Sequence, residues 1–531
     1  MNVSIVWRFQ FYDLMKPFTR PFGEGLTGLP LQLVSTGGCA TGFYLFGYDQ
    51  GVANALTQNA DFFKVLPRLN DSSTILGAVL ATFVLGAFFG CMTASVIGNK
   101  IGRRPFLICA SVFTLVGAAG QAGAVDLAMF LVFRIVNGFA VGILTSIVPS
   151  FMAEISMPRI RGLMMSLELV FASTGLMTAF WVAYGFAKNQ GPVGWRVPIG
   201  LQGAFICVTL VCLLFTPESP RWLMEKGRVE EGRRILERLH GSQYADAATL
   251  EIQEAIAIEH AAEEQAAKGY AACFSGNDQC FRYRTLLSMG VNFFQQATGV
   301  NMATYYAGFI FIDSVGMEPA KASLALGGLG IAGLVACAIG CFVLMERLGR
   351  VRTMMWGAAL CSLGQIFLAA GVAHGDKAAG GYVAALGLYL FIAVFSATHL
   401  PTAFVYGAEI VPLAIRTRAA TLGIATQYMI NFLVVMTTPI GIAALGYKYY
   451  VIYAVSNGCI IPLAWYFCPE VAGLSLEGVD ELFADGKVRM RRTTKVDKNG
   501  RVQTTAQFSE DKGDKGSFDH VDNVDSDKLE V

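Results

Sequence analysis

The chain has 531 residues, of which 54% are hydrophobic and 15% are charged, and its formal net charge at pH 7 is +1. Its mean hydropathy of +0.50 lies above that of ordinary soluble domains. The balanced charge gives no sign of nucleic-acid binding, and the composition indicates a protein embedded in a lipid bilayer.

Long apolar segments account for most of the chain. A membrane-spanning helix needs roughly 20 apolar residues, and about twelve such segments follow one another in the sequence. We therefore predict an all-α membrane protein with twelve transmembrane helices in two pseudo-symmetric six-helix halves. The predicted division is a cytosolic N-terminus (1–32), the two halves (33–216 and 284–468), a cytosolic helical linker (217–283) and a cytosolic, largely disordered tail (469–531).

Charged motifs at the ends of these segments occur twice, about 250 residues apart. The pairs are 99–104 with 346–350, Ala153-Glu154-Ile155 with Ala408-Glu409-Ile410, and Pro217-Glu218 with Pro469-Glu470. Motifs that recur in one order at one spacing indicate a duplicated membrane half, and many secondary transporters are built from such halves.

Lysine and arginine residues concentrate in the loops that follow the even-numbered segments. Because positively charged loops remain in the cytosol, we predict that both termini are cytosolic. The sequon Asn70-Asp71-Ser72 then falls in the first outside loop, so Asn70 is a candidate glycosylation site, used or unused. No cleavable signal peptide is apparent at the start of the sequence.

A single carboxylate, Asp49, stands in the first apolar segment. An ionisable residue inside a membrane helix costs about 3 kcal/mol or more to insert, and it marks a functional site by default. Its natural partner is Arg134 in the fourth segment, which is a charge at comparable depth. A carboxylate that alternates between an arginine and water shifts its pKa with conformation, which is what proton coupling needs. A static buried ion pair is the alternative. Glu168 in the fifth segment is a further charge at comparable depth.

Several motifs resemble those of the sugar porter family of the major facilitator superfamily. They are Gly47-Tyr48-Asp49, Arg134 with Gly138 and Gly142, residues 217–223, residues 295–301 with Tyr305-Tyr306, and residues 469–477. The resemblance covers nearly the whole membrane region and is strongest to fungal sugar and polyol permeases. It implies the major facilitator fold, transport by alternating access, and the use of Asp49 in proton symport.

Uncharged amides provide the candidate substrate contacts. Gln295, Gln296 and Asn301 lie in the seventh segment, and Gln427 and Asn431 lie four residues apart in the eleventh. Sugars and polyols carry hydroxyl groups that donate and accept hydrogen bonds, and amides do both without charge. Hydrogen bonding between helices is the alternative role for all five.

Two further residues depart from the family at candidate substrate positions. Phe404 stands where a tryptophan is usual, so it keeps a stacking face without the indole N–H. Glu168 stands where an uncharged polar residue is usual, and if ionised in the cavity it would favour hydroxyl donors or a cation. An orthodox glucose transporter is therefore less well supported than a sugar porter of some kind.

The repeated charges predict a cytosolic gate, in which opposite charges on neighbouring helix ends hold the inside closed. The predicted gate residues are Arg103, Arg104, Glu154, Arg161, Glu218, Arg347, Arg350, Glu409, Arg416 and Glu470. Surface ion pairs are individually weak, so the prediction depends on the network and its duplication. Asn99 replaces the family's usual aspartate, which removes one negative partner.

These observations predict a monomeric plasma-membrane transporter that carries a small neutral sugar or polyol (a hexose, pentose or polyol) with a proton. Two alternatives remain open, namely an exporter of a specialised metabolite and a non-transporting nutrient receptor. No catalytic constellation or nucleotide-binding loop is apparent, so we predict neither an enzyme nor a cofactor. The 12 cysteines lack metal-ligand spacing, so we predict no metal site.

Overall fold

The computed structural model describes residues 25–70, 72–157, 160–265, 269–276, 279–374, 377–474, 476–486, 488–490, 493–496 and 502–505. Within these ranges the chain is almost entirely helical. The exception is an antiparallel pair of strands in the C-terminal tail, β1 (Thr493–Val496) and β2 (Val502–Thr505). The tail's composition, which favours disorder, did not predict this pairing.

The N-terminal half contains six long helices. They are α1 (Leu29–Thr57), α2 (Ser73–Ile101), α3 (Arg103–Ala122), α4 (Leu127–Ile155), α5 (Arg161–Phe186) and α6 (Val193–Phe215). Polar caps set several helix starts: Ser72 accepts the amide of Thr74 before α2, and Asp126 accepts the amide of Met129 before α4. A short helix, Ala60–Val65, and a 3-10 turn, Pro67–Asn70, join α1 to α2.

The C-terminal half repeats this pattern with interruptions. Its helices are α7 (Phe281–Ala297 and Val300–Phe309), α8 (Pro319–Ile339), α9 (Arg350–Ala373), α10 (Lys377–Ala397 and His399–Glu409), α11 (Arg416–Leu445) and α12 (Lys448–Phe467). Wider π turns continue α7 and α8 over Ile310–Ser314 and Gly340–Leu344, and Met345–Leu348 completes α8. Of the helices in the described ranges, ten are long and apolar enough to cross a membrane. The helix α1, whose most apolar stretch is less hydrophobic than that of each of these ten, and the broken helix α7 complete the twelve.

The helices of the two halves pack in equivalent pairs. α1 packs on α5 as α7 packs on α11, α2 on α4 as α8 on α10, and α3 on α6 as α9 on α12. The halves meet where α2 packs on α11 and where α5 packs on α8. The predicted twelve-helix fold with two pseudo-symmetric halves is confirmed, and α1 also packs on α7 across the boundary between the halves.

Three helices between α6 and α7 lie on one side of the bundle, which we call the linker side: Pro220–Glu225, Val229–His240 and Ser242–Gln265. The first two contact the ends of spanning helices of the N-terminal half, and Ser242–Gln265 contacts residues Leu413–Ile415 between α10 and α11 of the C-terminal half. The indole N–H of Trp222 donates to the carbonyl of Asn99 at 3.0 Å, and His240 Nε2 lies 2.9 Å from the carbonyl of Ile155. The linker side therefore carries the ends of α2 and α4.

After α12, the chain packs back against the C-terminal half through the helix Leu476–Glu481. Asp480 forms an ion pair of 2.6 Å with the buried Arg284 of α7, and the Arg284 guanidinium lies 4.8 Å from the Phe483 ring. The first part of the predicted tail is thus part of the folded protein.

Candidate functional site: buried polar groups at the centre

Asp49 lies in the second half of α1 and is fully buried. Its Oδ1 accepts a hydrogen bond of 3.1 Å from Nδ2 of Asn137, and Oδ2 has no hydrogen-bond partner among the described residues. The same Asn137 amide donates to Oε1 of Gln202 at 3.1 Å. Asn137 and Gln202 were not predicted. The position of Asn137, one helical turn after Arg134, is the signal that could have identified it.

Arg134 of α4 is also fully buried, but it forms no ion pair with Asp49 in this conformation. Its Nη1 donates to Oε1 of Gln121 at 3.2 Å, and its guanidinium lies over the rings of Phe83 and Phe130, 5.5 and 5.9 Å from their centroids. In this conformation neither the predicted Asp49–Arg134 partnership nor the alternative of a static ion pair is formed. Both charges remain buried and available to each other if the helices move.

The amides of α7 form a chain. Nδ2 of Asn301 donates to Oε1 of Gln296, and Nε2 of Gln296 donates to Oε1 of Gln295 at 3.2 Å. The chain forms because α7 breaks at Gly299, whose φ of 85° lies in the left-handed region, and restarts at Val300. All three predicted side chains are buried, and we refer to them as the amide cluster.

Gln427 and Asn431 are buried on α11, the helix that packs against α7. Oε1 of Gln427 and Oδ1 of Asn431 have no hydrogen-bond partner among the described residues. Beside Asn431 on the same helix, the Tyr428 hydroxyl lies 2.6 Å from Oγ1 of Thr145 in α4, so this part of α11 touches the other half. Phe404 of α10 also meets the other half, where its ring packs edge-on against Phe43 at 6.3 Å.

Glu168 occupies a different place. It is buried, its Oε1 has no hydrogen-bond partner among the described residues, and it lines a cavity of about 180 Å³. The other lining residues belong to α1, α4 and α5, all of the N-terminal half. The structure therefore does not bring Glu168 to the amide cluster, which lies in the C-terminal half.

The repeated charges form two equivalent ion pairs on the linker side. Arg103 binds Glu154 through two bonds of 3.1 and 2.9 Å, and Arg350 binds Glu409 through two bonds of 3.1 and 2.8 Å. Two parallel bonds give an arginine–carboxylate pair its strongest geometry. Each pair joins helices of one half, so neither is a contact between the halves.

The two Pro-Glu motifs cap helices. Glu218 accepts the amides of Arg103 and Arg104 at 3.0 and 3.2 Å, at the start of α3. Glu470 accepts the amides of Arg350 and Val351 at 2.9 and 3.0 Å, at the start of α9. A carboxylate is favoured at a helix N-terminus because the first amides have no partner inside the helix.

The capping carboxylates of Glu218 and Glu470 lie close against the loops that begin α3 and α9. Burial raises the pKa of Glu218 above its usual value, and the backbone amides that it accepts oppose this increase. A Cβ on Gly102 would lie 2.5 Å from a Glu218 oxygen, and one on Gly349 would lie 2.8 Å from a Glu470 oxygen. The glycine in each repeated loop motif is required by its left-handed backbone, with φ of 106° at Gly102 and 84° at Gly349, and it leaves room for the carboxylate.

The other predicted gate residues do not join these pairs. Arg104 donates to the carbonyls of Leu213 and Leu214 at 2.9 Å, and Arg347 is exposed. Glu409 binds Arg350, and among the described residues no ion pair joins Glu409 to Arg416, which shares its sequence motif. The side chain of Arg161, and the Asn70 side chain with Asp71, lie outside the described residues.

The fold and its buried polar centre define a membrane transporter of the major facilitator type. A solved structure of the proton:xylose symporter XylE, bound to 6-bromo-6-deoxy-D-glucose, superimposes with a TM-score of 0.72 at 24% identity, over 86% of this chain and 99% of that one. The profile of the family described as "Sugar (and other) transporter" matches residues 35–483. The chain belongs to this family, the sugar porters of the major facilitator superfamily, and it is accordingly a transporter-family protein and not an enzyme.

Named relatives extend the comparison. The chain is 33% identical over 475 residues to "Sugar transporter STL1" of Saccharomyces cerevisiae, with 87% of this chain and 82% of the relative covered. It is 33% identical over 476 residues to "MFS-type transporter oryC" of Aspergillus oryzae, with 86% of each covered. It is 28% identical to "High glucose sensor RGT2" of S. cerevisiae, with 84% of this chain and 59% of the sensor covered.

Proposed function

We propose that the protein carries a small neutral polyhydroxylated solute, a hexose, pentose or polyol, together with a proton, by alternating access. The observation that carries this proposal is the amide cluster of α7, held at a helix break in one half, with the unpaired carboxylate of Asp49 in the other. The relative named a sugar transporter and the fold of the proton:xylose symporter support it.

The amide cluster suits a hydroxyl-rich substrate. Its members bind one another, so each side chain of the cluster has a hydrogen-bond partner within it. Hydroxyl groups can replace these bonds one for one, because they both donate and accept. The free carbonyl oxygens of Gln427 and Asn431 on the adjacent helix offer two more acceptors for substrate hydroxyls.

Asp49 suits proton coupling because its two oxygens differ. Oδ1 accepts the Asn137 amide whether or not the carboxyl carries a proton, whereas the buried Oδ2 has no partner among the described residues and would hold the proton. In the proposed cycle, Arg134 leaves Gln121 and approaches Asp49 when the proton departs. A lone buried carboxylate is costly, so the charge change and the helix movement depend on each other.

The proposal includes the orientation and the place of the protein. The concentration of positive charge on the linker side supports a cytosolic linker and cytosolic termini. We propose that the protein is a monomer in the plasma membrane. The division into two membrane halves (33–216 and 284–468), a linker (217–283) and a tail (469–531) stays a prediction.

Transport by purified protein in liposomes tests the proposal. With an imposed pH gradient, we expect accumulation of at least one radiolabelled sugar or polyol from a panel of hexoses, pentoses and polyols. Accumulation of only an organic acid or an apolar metabolite would show that the substrate class is wrong. Saturable sugar binding without any flux would instead favour a non-transporting nutrient receptor, and the relative RGT2 is named a glucose sensor.

A further inference from the structure

On the side opposite the linker, Asn54 of α1 reaches across the boundary between the halves. Its Nδ2 donates to the carbonyl of Thr304 in α7 at 2.7 Å, and its Oδ1 accepts the amide of Gly308 in α7 at 2.9 Å. The side chain is fully buried. One carboxamide thus holds two backbone groups of the opposite half.

The two backbone groups that Asn54 contacts, the carbonyl of Thr304 and the amide of Gly308, are one helical turn apart. Thr304 and Gly308 are four residues apart in one helix, so their carbonyl and amide are the pair that bonds in a regular α-helix. The carbonyl of Thr304 accepts two bonds, whereas the amide of Gly308 has one proton, which Oδ1 of Asn54 accepts here, so the two groups are free to bond each other when Asn54 withdraws. Release of Asn54 therefore costs only the bonds that Asn54 makes, which suits a contact that forms and breaks in every cycle.

The next turn of the chain adds a second contact between the halves. Oε1 of Gln58 accepts the hydroxyl of Ser323 in α8 at 3.3 Å. A Cβ on Gly308 would clash with Nε2 of Gln58 and would lie 3.3 Å from Oδ1 of Asn54. The absence of a side chain at Gly308 therefore leaves the space that the Gln58 and Asn54 side chains occupy.

We propose that Asn54 is the gate residue of the side opposite the linker. Its contact with Thr304 and Gly308, which we call the Asn54 clasp, holds this side closed, and the side opens only when the clasp releases. The inference deepens the proposed function, because it assumes alternating access. The clasp joins the helix that carries Asp49 to the helix that carries Asn301, so movement of either helix is transmitted to the gate.

Measured distances between the halves test the clasp. Spin labels on non-natural amino acids at Arg68, between α1 and α2, and at Lys321, at the start of α8, occupy exposed positions of opposite halves. In full-length protein in lipid nanodiscs, Asn54→Leu should increase the ratio of long to short distances about tenfold or more, since two buried hydrogen bonds are lost from the closed state only.

A second variant acts from the other helix. Gly308→Ala should shift the distances in the same direction, because its Cβ displaces Gln58 and crowds Asn54. Gly290→Ala is the matched control, since a Cβ at that position of α7 meets no atom within 4 Å. Asn457→Leu is the control for loss of a buried amide, because Asn457 donates to Thr298 from within the same half. Both controls should keep the original distances.

The proposal is overturned if Asn54→Leu and Gly308→Ala both leave the distances unchanged, or if Asn457→Leu changes them as much as Asn54→Leu does. The measurement uses no substrate. A protein that moves no sugar or polyol would refute the proposed function while the distances still decide the clasp, and normal transport with unchanged distances would refute the clasp alone.

Discussion

At the scale of single residues, Asp49 is the side chain on which the proposed proton coupling depends. Its hydrogen-bond donor is the amide of Asn137 and not a counter-ion, because the guanidinium of Arg134 binds Gln121 instead. Amide donors stabilise a carboxylate less than an arginine does, and they also tolerate the protonated form. Such surroundings allow Asp49 to exist in both states during a cycle.

Asp49→Asn should abolish concentrative uptake and its pH dependence, because an amide cannot carry or release the proton. Exchange of labelled for unlabelled substrate across an equilibrated liposome membrane should survive, since it needs no net proton movement. Glu318→Gln, which removes an exposed carboxylate beside α8, is the control and should transport normally. Proton-driven accumulation by Asp49→Asn at the normal level would refute the coupling role.

Gln296→Ala and Asn301→Ala should raise the apparent KM for the true substrate by roughly two- to twelve-fold, since each neutral hydrogen bond contributes about 0.5–1.5 kcal/mol. Gln296 should have the larger effect, because it bonds to both of its neighbours in the amide cluster. Gln365→Ala removes a buried amide of α9 outside the cluster and should keep the normal KM. Equal affinity in all three variants would place the substrate elsewhere.

At the scale of elements, the linker helix Val229–His240 is fastened to the bundle through its last residue. Nε2 of His240 contacts the carbonyl of Ile155, so it must carry the proton, and Nδ1 faces Nε2 of Gln32 at 3.2 Å, so it must accept. The neutral ring satisfies both contacts, and a second proton on Nδ1 would oppose the Gln32 donor. Burial lowers the pKa of His240 accordingly.

This geometry predicts that acid loosens the linker. Because the pKa of His240 is lower in the folded protein than the unfolded value of about 6.5, the unfolded state takes up the proton more readily, and stability falls as pH drops below about 6.5. His240→Gln keeps a donor for Ile155 but does not titrate. Between pH 7.5 and pH 5.5, the melting temperature of the wild type should therefore fall more than that of His240→Gln. Equal falls in the two proteins would contradict the role given to His240.

At the scale of the whole molecule, the two halves carry different parts of the proposed function. The proton site lies in α1 and α4 and the amide cluster lies in α7, while Arg103–Glu154 and Arg350–Glu409 each fasten the linker-side ends of one half. If the halves move, we expect these ends to move with the rest of their half. Coupling between proton and substrate then requires movement of one half against the other.

Loss of Glu409 should widen the linker side, because it frees the end of α10 from the start of α9. With spin labels at the exposed positions of Lys100 and Glu346, Glu409→Gln should increase the fraction of long distances. Glu230→Gln, an exposed position of the linker, is the control and should leave the distances unchanged. If Glu409→Gln behaves like the control, the Arg350–Glu409 pair stabilises its half without controlling the gate.

The sequence by itself determined the class of fold, because apolar segments of membrane-spanning length combined with a repeated set of charged motifs are compatible with very few architectures. It also predicted Asp49 and the amides of α7 as site residues, since polar groups are costly in a membrane helix, and the structure shows that these side chains are buried. These inferences rest on properties of one segment at a time, which a sequence displays directly.

The tertiary structure alone decided which groups meet. It showed that Asp49 contacts Asn137 and not Arg134, that Glu409 binds Arg350 and not Arg416, and that Glu168 faces a cavity apart from the amide cluster. Contacts between helices depend on their rotation and depth in the bundle, and a near-uniform apolar sequence specifies both only weakly. The Asn54 clasp illustrates this most clearly, because its partners are backbone atoms, which every sequence contains at every position.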